Sequence, residues 1–267
     1  MSQAGESWRL CYQKGLQLWC DPEAITSEDY FLRWARSEWI TRMLSYAGLK
    51  PSANVRVLEA GCGTARHAIT LALLGFSVDA FDYNEEALEI SRRLIKKIQP
   101  KGDCLSLRLY RDSLLNIQSA SATYDLVFNQ SVLEYFCDEN ERVRALEEMV
   151  RVTRPGGAIA VIVQHTGHPF RRVWEKLGWS GYVNQPPVAI YTPRRLAQVL
   201  KEAGLSQVCI DGIYPWNALF QAPWYRRWKW TQSWAGTIQR RLNSYVPLPR
   251  ILRCYLGVEI LGAGRKL

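Results

Sequence analysis

Gly61 and Gly63 stand in Val57-Leu-Glu-Ala-Gly-Cys-Gly-Thr64, at the end of a short apolar run, and Asp82 closes a second such run twenty-one residues after Gly61. Glycines at these positions permit a tight turn and let a ligand approach backbone that side chains would obstruct. A carboxylate at that remove can accept hydrogen bonds from the two hydroxyls of a ribose. The pattern therefore points to a bound nucleoside. A dinucleotide is disfavoured, because its fingerprint needs a further glycine three residues after the second one, where a pyrophosphate crosses a helix start, and that position is Arg66. What remains is a cofactor with a ribose but no phosphate.

The elements that must position these residues follow from the apolar patterning. Val55 to Leu58 reads as a strand entering the glycine turn, Thr64 to Leu74 as a helix, and Phe76 to Asp82 as a second strand. Residues 85 to 98 read as a helix, Leu105 to Tyr110 as a third strand, and Tyr124 to Phe128 as a fourth, almost wholly apolar strand covered on both faces. A helix over 140–153 meets Arg154-Pro-Gly-Gly157, a helix stop, before a fifth strand from Ala158 to Val163. Thr192-Pro193 opens a helix with a capping hydroxyl and a proline at its first position, and Gly204 closes it. The last strands are expected around Gln207–Ile213 and Tyr255–Leu261. Strands alternating with helices imply a mostly parallel sheet covered on both faces, which binds ligands beyond the carboxyl ends of its strands. Gly61 to Gly63, Asp82, Asp112 and Asn129 through Tyr135 should converge on one crevice there.

The chain resembles the class I S-adenosylmethionine-dependent methyltransferases, in particular the small-molecule branch of the ubiquinone and menaquinone enzymes. The resemblance is carried by the glycine loop, by Val78-Asp-Ala-Phe-Asp-Tyr-Asn84, by Tyr124-Asp-Leu-Val-Phe-Asn-Gln-Ser-Val-Leu-Glu-Tyr135 and by Leu146-Glu-Glu-Met-Val-Arg-Val-Thr-Arg-Pro-Gly-Gly157. It implies a three-layer α/β sandwich with a mostly parallel, seven-stranded Rossmann-like sheet, N-terminal helices and an inserted helical cap before the last strand. It implies S-adenosylmethionine as cofactor, with Glu59, Gly61, Cys62 and Gly63 beneath its methionine part and Asp82 on the ribose. Tyr83 would lie beside the adenine, Asp112 with Ser113 at the adenine amino group, and Asn129 and Gln130 at the methionine end. Two positions depart from the family: Ala65 replaces a frequent third glycine, and Tyr135 replaces a frequent histidine, so proton chemistry based on that histidine does not transfer.

A sulfonium already activates its methyl group, so the protein must chiefly align a nucleophile and exclude water. An amine, thiolate or carboxylate needs no base, whereas a phenol, alcohol or carbon acid does. The candidate base is His165, just past the fifth strand, since an imidazole titrates near neutrality. Glu134, Tyr135, Tyr30 and Trp34 are candidate contacts for the acceptor, and residues 1–50 are a candidate helical lid over a single domain spanning 51–267. The fourth strand ends in Asn129-Gln-Ser-Val, not in the Asn/Asp-Pro-Pro-Tyr that the family's adenine-amino enzymes share, which disfavours nucleic acid as acceptor. No metal-ligand spacing occurs among the seven cysteines and three histidines. The absence of a long apolar segment or basic leader makes a cytoplasmic location the expectation.

The net charge of +9 is concentrated late. Arg226, Arg227, Lys229, Arg240, Arg241, Arg250 and Arg253 stand between Asp211 and Glu259 without an acid among them, in a stretch that also holds Trp216, Trp224, Trp228, Trp230 and Trp234. On a helical period Trp224, Trp228, Thr231, Ala235, Ile238 and Leu242 form one stripe and Arg226, Lys229 and Arg240 oppose it. Residues 216–253 are thus a candidate cap over an apolar or aromatic small-molecule acceptor, an ordinary packing element, or, through 224–242, a peripheral contact with an anionic membrane. On the cap reading, Trp228→Ala should raise the acceptor KM or slow transfer while cofactor affinity, read by calorimetry, stays nearly intact.

Overall fold

The computed structural model describes residues 25, 27–98, 105–176, 188–220, 238, 241–243 and 246–267. Seven strands form one sheet: β1 (Arg56–Ala60), β2 (Ser77–Asp82), β3 (Leu107–Arg111), β4 (Tyr124–Gln130), β5 (Thr153–Gln164), β6 (Leu205–Ile213) and β7 (Glu259–Lys266). Their spatial order is β3-β2-β1-β4-β5-β7-β6, with every neighbouring pair parallel except those made by β7. The order reverses between β1 and β4, the place where an open parallel sheet parts its loops and makes a crevice.

The helices are α1 (Asp29–Ala35), α2 (Glu38–Ala47), α3 (Arg66–Leu73), α4 (Glu85–Ile98), α5 (Glu139–Val152), α6 (Pro169–Lys176), α7 (Pro193–Glu202) and α8 (Arg250–Leu256). Side chains alternate across a strand, and the alternation sorts the core into two layers. Val57, Leu126, Phe128, Ala160, Ile162, Ile213 and Leu261 meet residues of α1 to α4, among them Phe31, Trp39, Ile40, Met43 and Ile69. Leu58, Val127, Ile159, Val161, Val163 and Ile260 meet α5 and α7 through Leu146, Met149, Leu196 and Leu200. None of the described helices is long and apolar enough to cross a membrane.

Local chemistry explains most element boundaries. Thr192 Oγ accepts from the Arg195 amide at 3.2 Å, and Gly204, at φ 82°, follows the end of α7. The amino-terminal amphipathic pattern is two helices, broken at Arg36–Ser37. Trp39, Ile40 and Met43 of the second are wholly buried against the sheet. The Arg154-Pro-Gly-Gly157 segment is not a stop between helix and strand. α5 runs directly into β5, Thr153 pairs with Tyr124, and the register then shifts so that Ala158 faces Leu126. Pro155 is accommodated in that irregularity, as a proline inside a sheet must be.

The largest departure lies before β7. The expected strand start at Tyr255 is instead the end of α8, and β7 begins at Glu259. The cause is close backbone packing of α8 on the edge strand. A Cβ on Gly212 would fall 1.7 Å from the Arg253 carbonyl oxygen, and one on Gly257 would fall 2.7 Å from Gly212 Cα. Beside this contact, buried Asp211 accepts two bonds from the Arg253 guanidinium (2.8 and 2.7 Å) and one from the Tyr46 hydroxyl (2.8 Å), with Arg42 at 3.3 Å. Burial pushes the Asp211 carboxyl up, but these partners outweigh it and the net shift is down. One cation of the basic stretch is therefore committed to an internal ion pair. Of the amphipathic stripe expected over 224–242, Trp224, Trp228, Thr231 and Ala235 lie outside the described residues. Because backbone opposes any side chain at the first of the two glycines, Gly212→Ala should destabilise the fold by about 1–3 kcal/mol. That is a fall of several degrees in the thermal midpoint, measured by circular dichroism.

Candidate functional site

The crevice is built around the turn from β1 to α3. Gly61 and Gly63 have φ of 80° and 54°. A Cβ on Gly61 would meet Val132 Cγ2 at 2.7 Å, so the turn passes too close to the β4 loop for any side chain. The Gly61 and Cys62 amides both donate to the Phe81 carbonyl (2.9 and 2.8 Å), and the Asp112 amide donates to that of Asp82 (3.2 Å). The rims of β1, β2 and β3 are thereby tied together.

Ala65, at the cap of α3, has φ 52° and no side chain able to accept from the free amides. Glu59 substitutes for it from the strand below: its Oε2 accepts from the Ala68 amide at 2.7 Å. Its Oε1 lies 3.1 Å from His67 Nδ1, and His67 Nε2 accepts from the Arg66 guanidinium at 3.1 and 2.9 Å. These partners assign the tautomer with Nδ1 protonated. Burial and the Arg66 charge hold the His67 pKa well below its usual range, so the ring is neutral. Burial pushes Glu59 up to about 8, against the Ala68 amide and Arg66, which favour its ionised form. The Arg66 guanidinium in turn lies 3.9 Å from the Trp34 ring centroid, and the Trp39 ring stands edge-on to His67 at 4.2 Å. Glu59 thus reaches the expected ligand only through the loop that it holds. Cys62 is buried, and burial followed by the charges of Asp82 and Glu59 keeps its thiol protonated.

Asp82 accepts from the Gly63 amide (2.7 Å, Oδ2) and the Asn84 amide (2.8 Å, Oδ1). Burial raises its pKa while those amides restrain the rise. An ionised carboxylate has about four acceptor positions, so two remain for a pair of hydroxyls. Tyr83 is exposed beyond it, with the Arg111 guanidinium 5.2 Å from its ring centroid and Arg111 Nε donating to its carbonyl at 3.2 Å. Asp112 accepts from the Ser113 and Gln118 amides (2.8 and 2.9 Å), and Ser113 Oγ accepts from Leu115. Two acceptor-rich carboxylates beside a flat exposed aromatic ring suit the sugar and base of a nucleoside, and the glycine turn leaves backbone open between them.

At the opposite rim, strand alternation separates neighbouring residues. Gln130 follows Leu126 and Phe128 on the face covered by α1 to α4, and its Nε2 lies 3.5 Å from both Glu259 carboxylate oxygens. Asn129 points the other way: its Nδ2 donates to Met149 Sδ of α5 at 3.3 Å, so its side chain is beneath a helix and not at the crevice. Glu134 is wholly buried, takes the Gln164 amide at 3.4 Å, and leaves Oε2 without a partner. Burial, with Glu259 adding to it, pushes its pKa up to about 8. Tyr135 is buried in the same short turn, Leu133–Tyr135. His165 is also buried; its Nδ1 is 3.0 Å from the Gly257 carbonyl, and its Nε2 faces the turn at Gly167, 3.6 Å from where a Cβ there would stand. Trp34 is fixed on Arg66, and Tyr30 packs edge-on to Phe31 at 5.2 Å. Trp228 lies outside the described residues.

Three crevice residues have no counterpart in the sequence reading: Arg66 as a partner, Glu259 and Tyr214. β7 runs antiparallel, so its first residue and not its last sits at the crevice end; Glu259 pairs with Gln164 on one side and Ile213 on the other. An acid heading the apolar run Glu259-Ile-Leu was the available signal, but the direction of the strand cannot be read from that run.

A Rossmann-like sheet whose switch-point crevice suits a nucleoside is an architecture that many nucleoside-binding enzymes share, and comparison with known proteins narrows it. Residues 57–157 match the family model described as a methyltransferase domain. A ubiquinone biosynthesis O-methyltransferase of Methylocella silvestris is 31% identical over 169 residues, 61% of this chain and 63% of that protein. The Ruegeria pomeroyi protein of the same description is 24% identical over 80% of this chain and 85% of its own length. The chain thus spans less than two thirds of the first of these relatives. Among solved structures, an S-adenosylmethionine-dependent methyltransferase of Thermotoga maritima shares the fold with a TM-score of 0.56 at 15% identity, covering 98% of this chain and all of the other.

Residues 57–157 form a methyltransferase domain, the chain resembles the class I enzymes of the ubiquinone type, and S-adenosylmethionine is the cofactor of relatives and fold neighbours alike. If Asp82 holds the ribose, Asp82→Ala should weaken S-adenosylhomocysteine binding by about 1–3 kcal/mol. Equal calorimetric affinities in two variants of matched thermal stability would remove the assignment.

Proposed function

We propose that this protein transfers the methyl group of S-adenosylmethionine to oxygen on a small apolar or aromatic acceptor. The observation that carries the reading is the crevice itself, in which the glycine turn, Asp82 and Asp112 face a second rim formed by the ends of β4 and β5 and the beginning of β7. Oxygen is favoured over the other nucleophiles by relatives described as ubiquinone biosynthesis and malonyl-[acyl-carrier protein] O-methyltransferases. An apolar acceptor is favoured by the aromatic side chains near the rim, Trp34, Tyr135 and Tyr214.

Bound S-adenosylmethionine supplies an electrophilic methyl group already activated by positive sulfur. Glu59 holds the start of α3, Asp82 and Asp112 offer acceptors to ribose and adenine, and Tyr83 offers its ring. Gln130, Glu134 and Tyr135 are the acceptor-side candidates, and sequence position alone keeps Trp228 among them. Contact of the stretch 224–242 with an anionic membrane stands as a related proposal. It gains support from α8, whose Ile251 and Tyr255 are exposed beside Arg250.

The test is incubation with methyl-labelled S-adenosylmethionine and four probes: 4-tert-butylcatechol, dodecanoic acid, dodecylamine and dodecanethiol. Label should enter the catechol, or the acid, and leave the protonated amine and the un-ionised alkanethiol nearly untouched. Transfer to the amine alone would overturn the oxygen reading.

A further inference from the structure

We propose that Glu259 is the general base that takes the proton from the acceptor hydroxyl, with Gln130 holding it in place. The inference rests on the oxygen-acceptor reading and names the proton acceptor within that same site.

Three facts place Glu259 at the reacting end of the crevice. The first is topology: as the opening residue of the antiparallel β7, it lies level with Gln164, the last residue of β5. The second is its face. Leu261 and Ala263 belong to the layer covered by α1 to α4, so period-two alternation puts Glu259 on that face, together with Gln130, Glu59 and the helix start that carries Arg66 and His67. His165 falls on the opposite side, with Nδ1 held by a carbonyl and Nε2 turned toward the Gly167 turn. The third is attachment. Gln130 Nε2 stands equidistant from the two carboxylate oxygens at 3.5 Å, which orients the group while leaving acceptor positions open.

The surroundings set its protonation. Burial raises Glu259 to about 6, restrained by the Arg66 guanidinium and by Gln130. The other charged or titratable groups facing it are Glu134 from the turn after β4 and Tyr214 after β6. Glu38 at the start of α2 stands behind Tyr214, taking its amide at 2.8 Å. Burial, then Glu259 and Glu38, hold the Tyr214 phenol far above its usual range, so it stays protonated. Glu134, at about 8, is also protonated at neutral pH. Two nearby carboxyls with separated affinities leave one ionised and one neutral, the arrangement by which a site distinguishes a base from its neighbours. Glu259 is the ionised one.

The acceptor O–H bond breaks and its proton passes to a Glu259 oxygen; an oxygen lone pair forms the new O–C bond; the S–C bond breaks and its electron pair stays on sulfur as neutral S-adenosylhomocysteine. Return of the proton to water restores the carboxylate.

The experiment compares wild type with Glu259→Gln on 4-tert-butylcatechol and on 4-tert-butylthiophenol, whose thiol is largely ionised at neutral pH and needs no base. The expected result is a loss of about a hundredfold or more in the single-turnover rate for the catechol, with the thiophenol rate and S-adenosylhomocysteine affinity little changed. The wild-type catechol rate should rise with pH through about 6 and level off above it, because the base works ionised; the variant should lose that limb. Carbon NMR of protein labelled at glutamate carboxyl carbons supplies a readout independent of turnover. One signal should titrate near pH 6, move when catechol is added to the S-adenosylhomocysteine complex, and be missing from the variant. Equal losses for both probes, or no loss for either, would overturn the base assignment, as would absence of that signal. Failure of the wild type on every oxygen probe would instead overturn the oxygen reading on which the assignment rests.

Discussion

The site depends on one buried carboxyl group. A left-handed alanine begins α3 and offers nothing to the first free amides of the helix, so Glu59 of β1 must do so, from a position where burial pushes its pKa up to about 8. Its partners are His67, held neutral, and through it Arg66, which is fixed on Trp34. A chain of contacts therefore runs from β1 through the start of α3 to α1. The amino-terminal helices are joined to this chain by packing: Trp39 stands against both His67 and Phe128, and the Thr70 hydroxyl reaches the Phe31 carbonyl at 3.2 Å. Their described residues close one face of the sheet as much as they border the crevice.

The order of elements and the half of the crevice formed by β1, β2 and β3 were legible because they are written locally. A glycine turn, an acid closing the following strand and a capping threonine each declare themselves within a few residues. The rim formed by β4, β5 and β7 was less legible, because there a shift of one residue exchanges the two faces of the sheet. Asn129 and Gln130 are adjacent and equally polar, yet one meets Met149 under α5 and the other meets Glu259. The imidazole of His165 suits a base, but its side chain follows the layer of Val161 and Val163. Tyr255 and Leu256 carry strand-like side chains but are helical, because two glycines distant in sequence bring α8 onto β6. That contact leaves no mark in local periodicity.

Charge gives a similar lesson. The stretch between Asp211 and Glu259 is uniformly basic in sequence, which suggests a free cationic surface. Arg253, however, is neutralised by Asp211 inside the fold, while Arg250 lies on a helix whose outer side also exposes Ile251 and Tyr255. The cations of one run can thus serve opposite purposes: one secures an edge strand, and another remains available to solvent or to a partner. Counting them cannot separate those roles; the burial of the carboxylate opposite does.

The reversed direction of β7 has a consequence for how such a protein can change. Ile213 and Glu259 are direct neighbours in the sheet, so everything from 214 to 258 leaves and re-enters at nearly the same point on the crevice rim. The entropy of closing a flexible loop grows only logarithmically, by about 0.6 kcal/mol for each doubling of its length. Material can therefore be added or exchanged there with little effect on the register of the seven strands, provided that the Gly212–Gly257 contact survives. The sheet can thus stay constant while the segment between its last two strands varies in length and sequence.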